Sequence, residues 1–322
     1  MNGVSAPATS AVRKRRSWWR RSFRGRTSQM QLAVLSAPAM VVIVVMFYIP
    51  MVGVIVAFEN FQYLGGVFGS PFVGLQNFQF LVDSQTFIQI VRNTLLYNVA
   101  FIVLGTALSL SIAVLLFMLR QHRWIVRLYQ LVLFLPYFLS FIVIGVIVQT
   151  FLSPEYGLVT QALKPPHGQA PNFYSIPSIW IAILIGVQLW QGMGFSSLLY
   201  YTGLLGIDPT YYEAAEVDGA NRLQITRYVL VPSLAPIIGI LLILAIGGLM
   251  NANFALFYFV PNNSPEVLST TEVINTWVYR ALTSGSIGPP AAVGLFQSGV
   301  GLVLVVVSNL MVRRINPDAS LF

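Results

Sequence analysis

The chain has 322 residues, of which 56% are apolar and only 9% charged, with a mean hydropathy of +0.75 and a formal net charge of +8. That composition excludes a soluble protein built on one hydrophobic core and marks a polytopic membrane protein. Cysteine is absent, which excludes disulfides, thiolate catalysis and cysteine metal sites. The positive charge is concentrated in an arginine run beside a membrane span, which reads as attraction to anionic lipid and not to nucleic acid.

Residues 1–12 are small and polar and are expected to be disordered. Residues 1–30 form a basic cytoplasmic segment that carries Arg13, Lys14, Arg15, Arg16, Arg20, Arg21, Arg24 and Arg26, with Trp18, Trp19 and Phe23 placed to lie at headgroup depth. Arg20-Arg21-Ser22-Phe23 faintly resembles a twin-arginine export signal. A removable signal has an apolar region of about 7 to 15 residues, whereas here it runs through Met40 and Tyr48 to Phe58. It is therefore a first transmembrane helix.

Crossing a bilayer takes about 20 apolar residues in helical form. Six stretches reach that length: 32–58, 94–119, 128–152, 177–204, 232–258 and 291–312. The expected fold is all-α, with six transmembrane helices inside a permeation domain of residues 31–315 and a short tail, 316–322, on the same side as the N-terminus. Orientation follows from the basic residues. Arg120, Arg123, Arg127, Arg222, Arg227, Arg313 and Arg314 share a face with the N-terminal run, and only Arg92, Lys164 and Arg280 remain for the other. The positive-inside rule thus puts both termini in the cytoplasm.

The outer connections follow in order. Loop 59–92 turns at Gly65, Gly66, Gly69 and Pro71, and a short helix from Asp83 to Arg92, capped by Asp83, leads into the second span. Tyr137 after Pro136 marks a kink in the third. Loop 153–176, with Pro154, Pro165, Pro166 and Pro171, reads as an irregular lid. Loop 259–290 suggests a helix from Ser269 to Leu282 carrying Glu272, Trp277, Tyr279 and Arg280. Its aromatics suit either an external partner or an interfacial anchor.

The inner connection 208–232 stands apart because it is polar and long. Asp208-Pro209 is a helix start, Gly219 can take the left-handed turn that ends a helix, and a second helix is expected to start after Asn221 and run to Leu230. Tyr211, Tyr212, Ala214 and Ala215 would turn small or flat faces to the cytoplasm, as a surface for another protein's groove.

Glu213-Ala214-Ala215, then Gly219 after three residues, then nine residues to Val229-Leu230-Val231-Pro232, resemble the EAA signature of binding-protein-dependent ABC transporter permeases. Val229 and Val231 stand where the pattern has Ile and Leu. Phe72-Val73-Gly74-Leu75-Gln76-Asn77-Phe78 and Arg92-Asn93-Thr94-Leu95 are similar to MalF-type sugar permeases, and Ala292-Val293-Gly294-Leu295-Phe296 to their LplB-like branch. Loop 59–92 holds no large insertion and no extra N-terminal spans are present, so features tied to those parts do not carry over.

The resemblance implies the type I ABC importer permease fold, a bacterial inner-membrane location and a coupling role for Glu213, Ala214, Ala215, Asp218, Gly219, Arg222 and Pro232. It also implies a second, MalG-like permease, two ATPase subunits and an extracytoplasmic solute-binding protein, besides membrane lipid. No cofactor is expected on this chain. Its only lysines, Lys14 and Lys164, sit in no phosphate-cradling loop, so ATP and Mg belong to the partner ATPases. His122 and His167 lie in opposite connections, so no histidine dyad supports an enzyme.

None of the six stretches contains Asp, Glu, Lys or Arg, which argues against ion-coupled secondary transport and for a neutral solute. Amides can pair with sugar hydroxyls and aromatics with sugar rings. On that ground Gln188, Trp190 and Gln191 in the fourth span, Asn251 and Asn253 in the fifth, and Tyr137 in the third are candidate substrate-path residues, to which the resemblance adds Gly194 in the fourth span and Met250 in the fifth. The resemblance adds weight to Asn253 and Met250. Intramembrane amides also serve simply to tie helices together. Rival readings are an importer permease for another small polar solute, and a stand-alone secondary carrier.

Overall fold

The computed structural model describes residues 18–165 and 170–315. The expectations for residues 1–17, Pro166, His167 and the tail 316–322 lie outside it, as do those for the side chains of Trp18, Trp19 and Phe23. Among the described residues the regular structure is helical, apart from one isolated bridge between Glu59 and Phe72. The chain forms two units, Met1–Ile55 and Val56–Phe322. In the first, helix α1 (Trp18–Ile43) continues through a wider turn at Val44–Tyr48 into a tighter helix, Ile49–Phe58, whose last three residues belong to the second.

In the second unit the main helices are α2 (Gln85–Met118), α3 (Arg123–Phe134), α4 (Phe141–Leu152), α5 (Pro177–Leu205), α6 (Pro209–Val217), α7 (Arg222–Ile225), α8 (Ala235–Gly247), α9 (Phe254–Phe259), α10 (Ile274–Thr283) and α11 (Gly288–Ile315). Among the described residues of the whole chain, four helices are long and apolar enough to cross a bilayer: Met30–Phe58, Gln85–Met118, Pro177–Leu205 and Gly288–Arg314. Two bent pairs, Arg123–Phe138 with Phe141–Leu152 and Arg222–Ser233 with Ala235–Gly247, make six if each pair is one span.

The third expected span, 128–152, is broken by a 95° bend. Pro136 cannot donate a helical hydrogen bond, Leu139 is extended, and Ser140 Oγ accepts from Val143 N at 3.4 Å to start α4 afresh. The expected fifth span, 232–258, does not run through either. It bends by 61° and α8 stops at Gly247. Residues 248–253 are unwound, and the freed backbone finds side chains: Asn98 Nδ2 donates to Leu249 O at 2.8 Å, and Ala252 N to Asn275 Oδ1 at 3.1 Å. Irregular backbone at membrane depth is tolerated only with such replacement partners.

Two loop expectations are also corrected. Ser84, not Asp83, caps the second span, its hydroxyl accepting from Phe87 N, and the helix begins at Gln85. The helix expected over Ser269–Leu282 is split at Glu272–Val273, because Asn93 Nδ2 holds the carbonyls of Ser269 and Glu272 at 3.1 and 3.0 Å while Thr94 Oγ1 accepts from Ile274 N.

Lipid tails give helices no hydrophobic reason to associate, so close packing of small residues does much of the work. A Cβ on Gly194 would overlap the carbonyl oxygen of Leu133, and one on Gly145 would lie 2.6 Å from that of Phe259. Core clusters form around Trp180, Leu184, Leu256 and Phe257 at the Pro177 end of α5, and around Phe117, Tyr200, Leu204 and Leu230 at its Leu205 end.

Candidate functional site

The EAA segment is a two-helix elbow made by local rules. Asp208 Oδ1 accepts from Thr210 N at 3.0 Å and from its hydroxyl at 2.9 Å, which caps α6 and holds the Asp208 carboxyl below its ordinary pKa. Gly219 takes φ +81°, its N–H reaches Glu216 O at 3.1 Å, and Ala220 N reaches Ala215 O at 2.9 Å. This paired closure ends a helix where only glycine is at ease. Asn221 and Gln224 then exchange side-chain and backbone bonds at 2.8 and 2.9 Å to cap α7. The expected second helix does reach Leu230, through a wider turn over Thr226–Leu230.

The residues expected to face outward together are split by the helix. Tyr211, 66% exposed, and Ala214 face out, but Tyr212 and Ala215 pack on the core at the Leu205 end of α5. Tyr212 meets Phe117 edge-on at 5.7 Å, and the Arg120 guanidinium sits over both rings. Glu213, Asp218, Gly219, Arg222 and Pro232 are exposed. Val217 and Leu223 are bare apolar side chains beside them.

A cavity of about 420 Å³ opens between α2, α5, α8 and the unwound segment. Asn98, Gln188, Asn251 and Asn253 supply amides, Thr106, Ser196 and Tyr200 hydroxyls, and Phe101 a ring; no charged residue lines it. Asn251 Oδ1 accepts from Asn275 at 2.9 Å, and Asn253 Oδ1 caps α9 by accepting from Ala255 and Leu256. Gln188 Oε1 is buried without a hydrogen-bond partner.

Of the substrate-path candidates, Gln188, Asn251 and Asn253 meet in this cavity. The others lie elsewhere. Met250 is buried with Phe87, Ile90, Ile274 and Val293. Gly194 is a helix contact, Gln191 Nε2 reaches Tyr137 O at 3.4 Å, Tyr137 stacks on Phe195 at 4.7 Å, and Trp190 is 39% exposed outside the cavity. Phe101, Thr106, Ser196 and Tyr200 were missed. Helical spacing would have found them: Phe101 and Thr106 follow Asn98 by three and eight positions, and Ser196 and Tyr200 follow Gln188 by eight and twelve.

Residues 105–320, which include the elbow and most of the cavity, match the family described as binding-protein-dependent transport system inner membrane component. The chain belongs to this family. It is a membrane-embedded permease subunit of a binding-protein-dependent transport system. The permease is 29% identical over 98% of its length to the polygalacturonan/rhamnogalacturonan transport system permease protein YteP of Bacillus subtilis (strain 168), covering 98% of that protein. It is 27% identical over 89% of its length to protein LplB of the same organism, covering 90% of it. Among solved structures it resembles a bacterial ABC transporter involved in the import of the acidic polysaccharide alginate, with a TM-score of 0.82 and 28% identity over 92% of this chain and 99% of that one.

Proposed function

We propose that this permease carries a carbohydrate, as an oligosaccharide, into the cytoplasm by alternating access, driven by ATP hydrolysed on separate subunits. The observation that carries the reading is the central cavity: amides and hydroxyls without charge, among them the unpartnered acceptor of Gln188, in a chain of this family. A sugar hydroxyl is the natural donor to such an oxygen. The similar proteins named for polygalacturonan and alginate transport support the substrate class.

In this reading two ATPase subunits, carrying ATP and Mg, press on the elbow of this chain and on that of a second permease. Glu213, Ala214, Ala215, Asp218, Gly219, Arg222 and Pro232 transmit the movement. A solute-binding protein delivers cargo at the opposite end of α5, and both termini lie in the cytoplasm of a bacterial cell, the chain crossing its inner membrane. The Leu205 end of α5 supports this, since the segments carrying Arg120, Arg123, Arg127, Arg222 and Arg227 pack through Phe117, Val126 and Ile225 into the core cluster around Leu204.

Reconstitution tests it. Vesicles holding this chain, its partner permease and the ATPases should take up a labelled oligosaccharide only with ATP and loaded binding protein. Accumulation by this chain alone, or uptake of no saccharide by the whole assembly, would sink the proposal.

A further inference from the structure

A second cavity, of about 430 Å³, opens at the Pro177 end of α5 and shares no lining residue with the central one. The helix between it and the elbow is about 43 Å long at 1.5 Å per residue. Glu155, Tyr156, Tyr174, Asn262, Asn263 and Glu266 form its working surface. Such a volume is that of a small-molecule site and far exceeds what a single ion needs.

Two of its polar atoms, Tyr174 Oη and Asn263 Oδ1, are buried with no hydrogen-bond partner. Buried polar groups are nearly always paired, so each orphan calls for a reason. Asn262 and Asn263 are consecutive left-handed residues, at φ 53° and 48°, a turn that asparagine tolerates better than other side-chain-bearing residues and that brings both amides to the pocket. The surrounding hydrogen bonds hold it: Asn263 N donates to Tyr258 O at 2.9 Å, and Ser264 Oγ to Tyr174 O at 3.5 Å. Glu266 accepts from the hydroxyl of Ser175 through one oxygen and keeps the other. Glu155 has no cationic partner among the described residues. Burial first, and Tyr156 second, push the Tyr174 phenol up to about 12, so it stays a neutral donor.

Phenol donors, amides and two unneutralised carboxylates suit a ligand rich in hydroxyls, because carboxylates accept strong hydrogen bonds from O–H groups. The same two charges repel a carboxylate on the ligand. We propose that this pocket is a second saccharide subsite, remote from the central cavity, and that Glu155 and Glu266 make it select uncharged sugar units over uronates. The inference rests on the carbohydrate reading above and narrows it. It also sets this chain apart from the similar proteins named for polygalacturonan and alginate, both uronate polymers, whose names support the carbohydrate class and not the charge preference.

The test uses the complete importer in nanodiscs without binding protein, probed by saturation-transfer NMR with maltotetraose, xylotetraose, arabinotetraose and tetragalacturonate. At least one neutral tetramer should bind in preference to the uronate. Tyr156→Ala should weaken it by roughly tenfold, the scale of a lost hydrogen-bonded contact to a charged or stacked group. The double change Glu155→Gln with Glu266→Gln should narrow the preference over tetragalacturonate by about the same factor. Tyr156 and both glutamates are exposed at the pocket mouth, and melting points equal to wild type would exclude misfolding. Where Tyr156→Ala fails to fold, Tyr156→Phe with the glutamate pair carries the test. Equal binding of uronate and neutral tetramers by wild type, indifference to all these changes, or displacement of the sugar by calcium would overturn the proposal. ATP-dependent oligosaccharide uptake separates the failures: if uptake persists while the pocket variants are silent, only the subsite falls, and if no saccharide is taken up, the carbohydrate reading falls with it.

Discussion

The guanidinium of Arg120 lies 4.8 Å from the ring centroid of Tyr212, and so clamps the first helix of the EAA elbow to the end of α2. Arg120 is anchored in turn, with its Nη1 donating to Phe117 O at 3.1 Å. Motion imposed on α6 would therefore reach α2 through this stack, and α2 lines the central cavity at Asn98 and Thr106.

Arg120→Gln should remove a contact of about 0.5 to 1 kcal/mol. That is too little to unfold the chain but enough to loosen the link. The expected result is an importer that assembles and hydrolyses ATP while uptake per ATP falls. Coupled ATPase and uptake assays on proteoliposomes check this, and an unchanged ratio would remove Arg120 from the transmission path.

Gly219→Val places a β-branched residue at φ +81°, where strain is about 1 to 3 kcal/mol. No neighbouring atom lies within 4 Å of a Cβ built there, so the effect would be conformational and not a clash. Transport should be lost while membrane insertion stays normal. Gly219→Asn, which tolerates the left-handed region better, should retain part of the uptake.

The elbow could be read from the sequence because its rules are local. Asp208 before Pro209, Gly219 at the bend and Asn221 ahead of the second helix act on their own backbone, and each is found in that role. Which tyrosine turns inward was not readable, since it depends on Phe117 and Arg120, far away in sequence. The end of α8 was hidden for a similar reason. Apolar composition continues past Gly247, and only the distant Asn98 and Asn275 reveal that the backbone there is unwound. In the cavity, residue type found Gln188, Asn251 and Asn253, but Met250 packs into a separate core cluster while its neighbour Asn251 lines the cavity, now that the helix has stopped.

Gly194→Ala tests the contact that seats the broken third span. The added methyl would overlap Leu133 O, and overpacking costs about 1 to 3 kcal/mol. The purified importer should melt at a lower temperature. Gly192→Ala, with nothing within 4 Å of its Cβ position, should not change it, and equal melting of the two variants would contradict the packing argument.

Burial raises the Glu272 carboxyl above its ordinary pKa, against the opposing pull of Arg280 at 3.6 Å. A raised folded-state value means the folded chain holds the proton more tightly. This contribution to stability is complete below the unfolded pKa and is lost as pH rises through the folded one. Melting temperature should therefore drift downward as pH rises above about 4.5, the ordinary value for the group. In Glu272→Gln that part of the slope should disappear, and an identical profile in both proteins would show that another group sets it.

Gln188 offers the sharpest reading of the central cavity. Its Oε1 is buried without a protein partner, so Gln188→Leu removes a desolvated acceptor and should leave the fold as stable or raise stability by up to about 1 kcal/mol. If that oxygen meets a solute hydroxyl during transport, the same change should raise the KM for uptake roughly tenfold, the scale of one hydrogen bond lost from a polar site. Asn253→Leu makes the contrast, because Asn253 Oδ1 caps α9 through Ala255 N and Leu256 N. That variant should lose about 1 kcal/mol of stability as well as transport. A variant that keeps its melting point and loses apparent affinity marks a group that touches solute, whereas one that loses both marks a group that shapes the cavity. An unchanged KM in Gln188→Leu would take Gln188 out of the solute path.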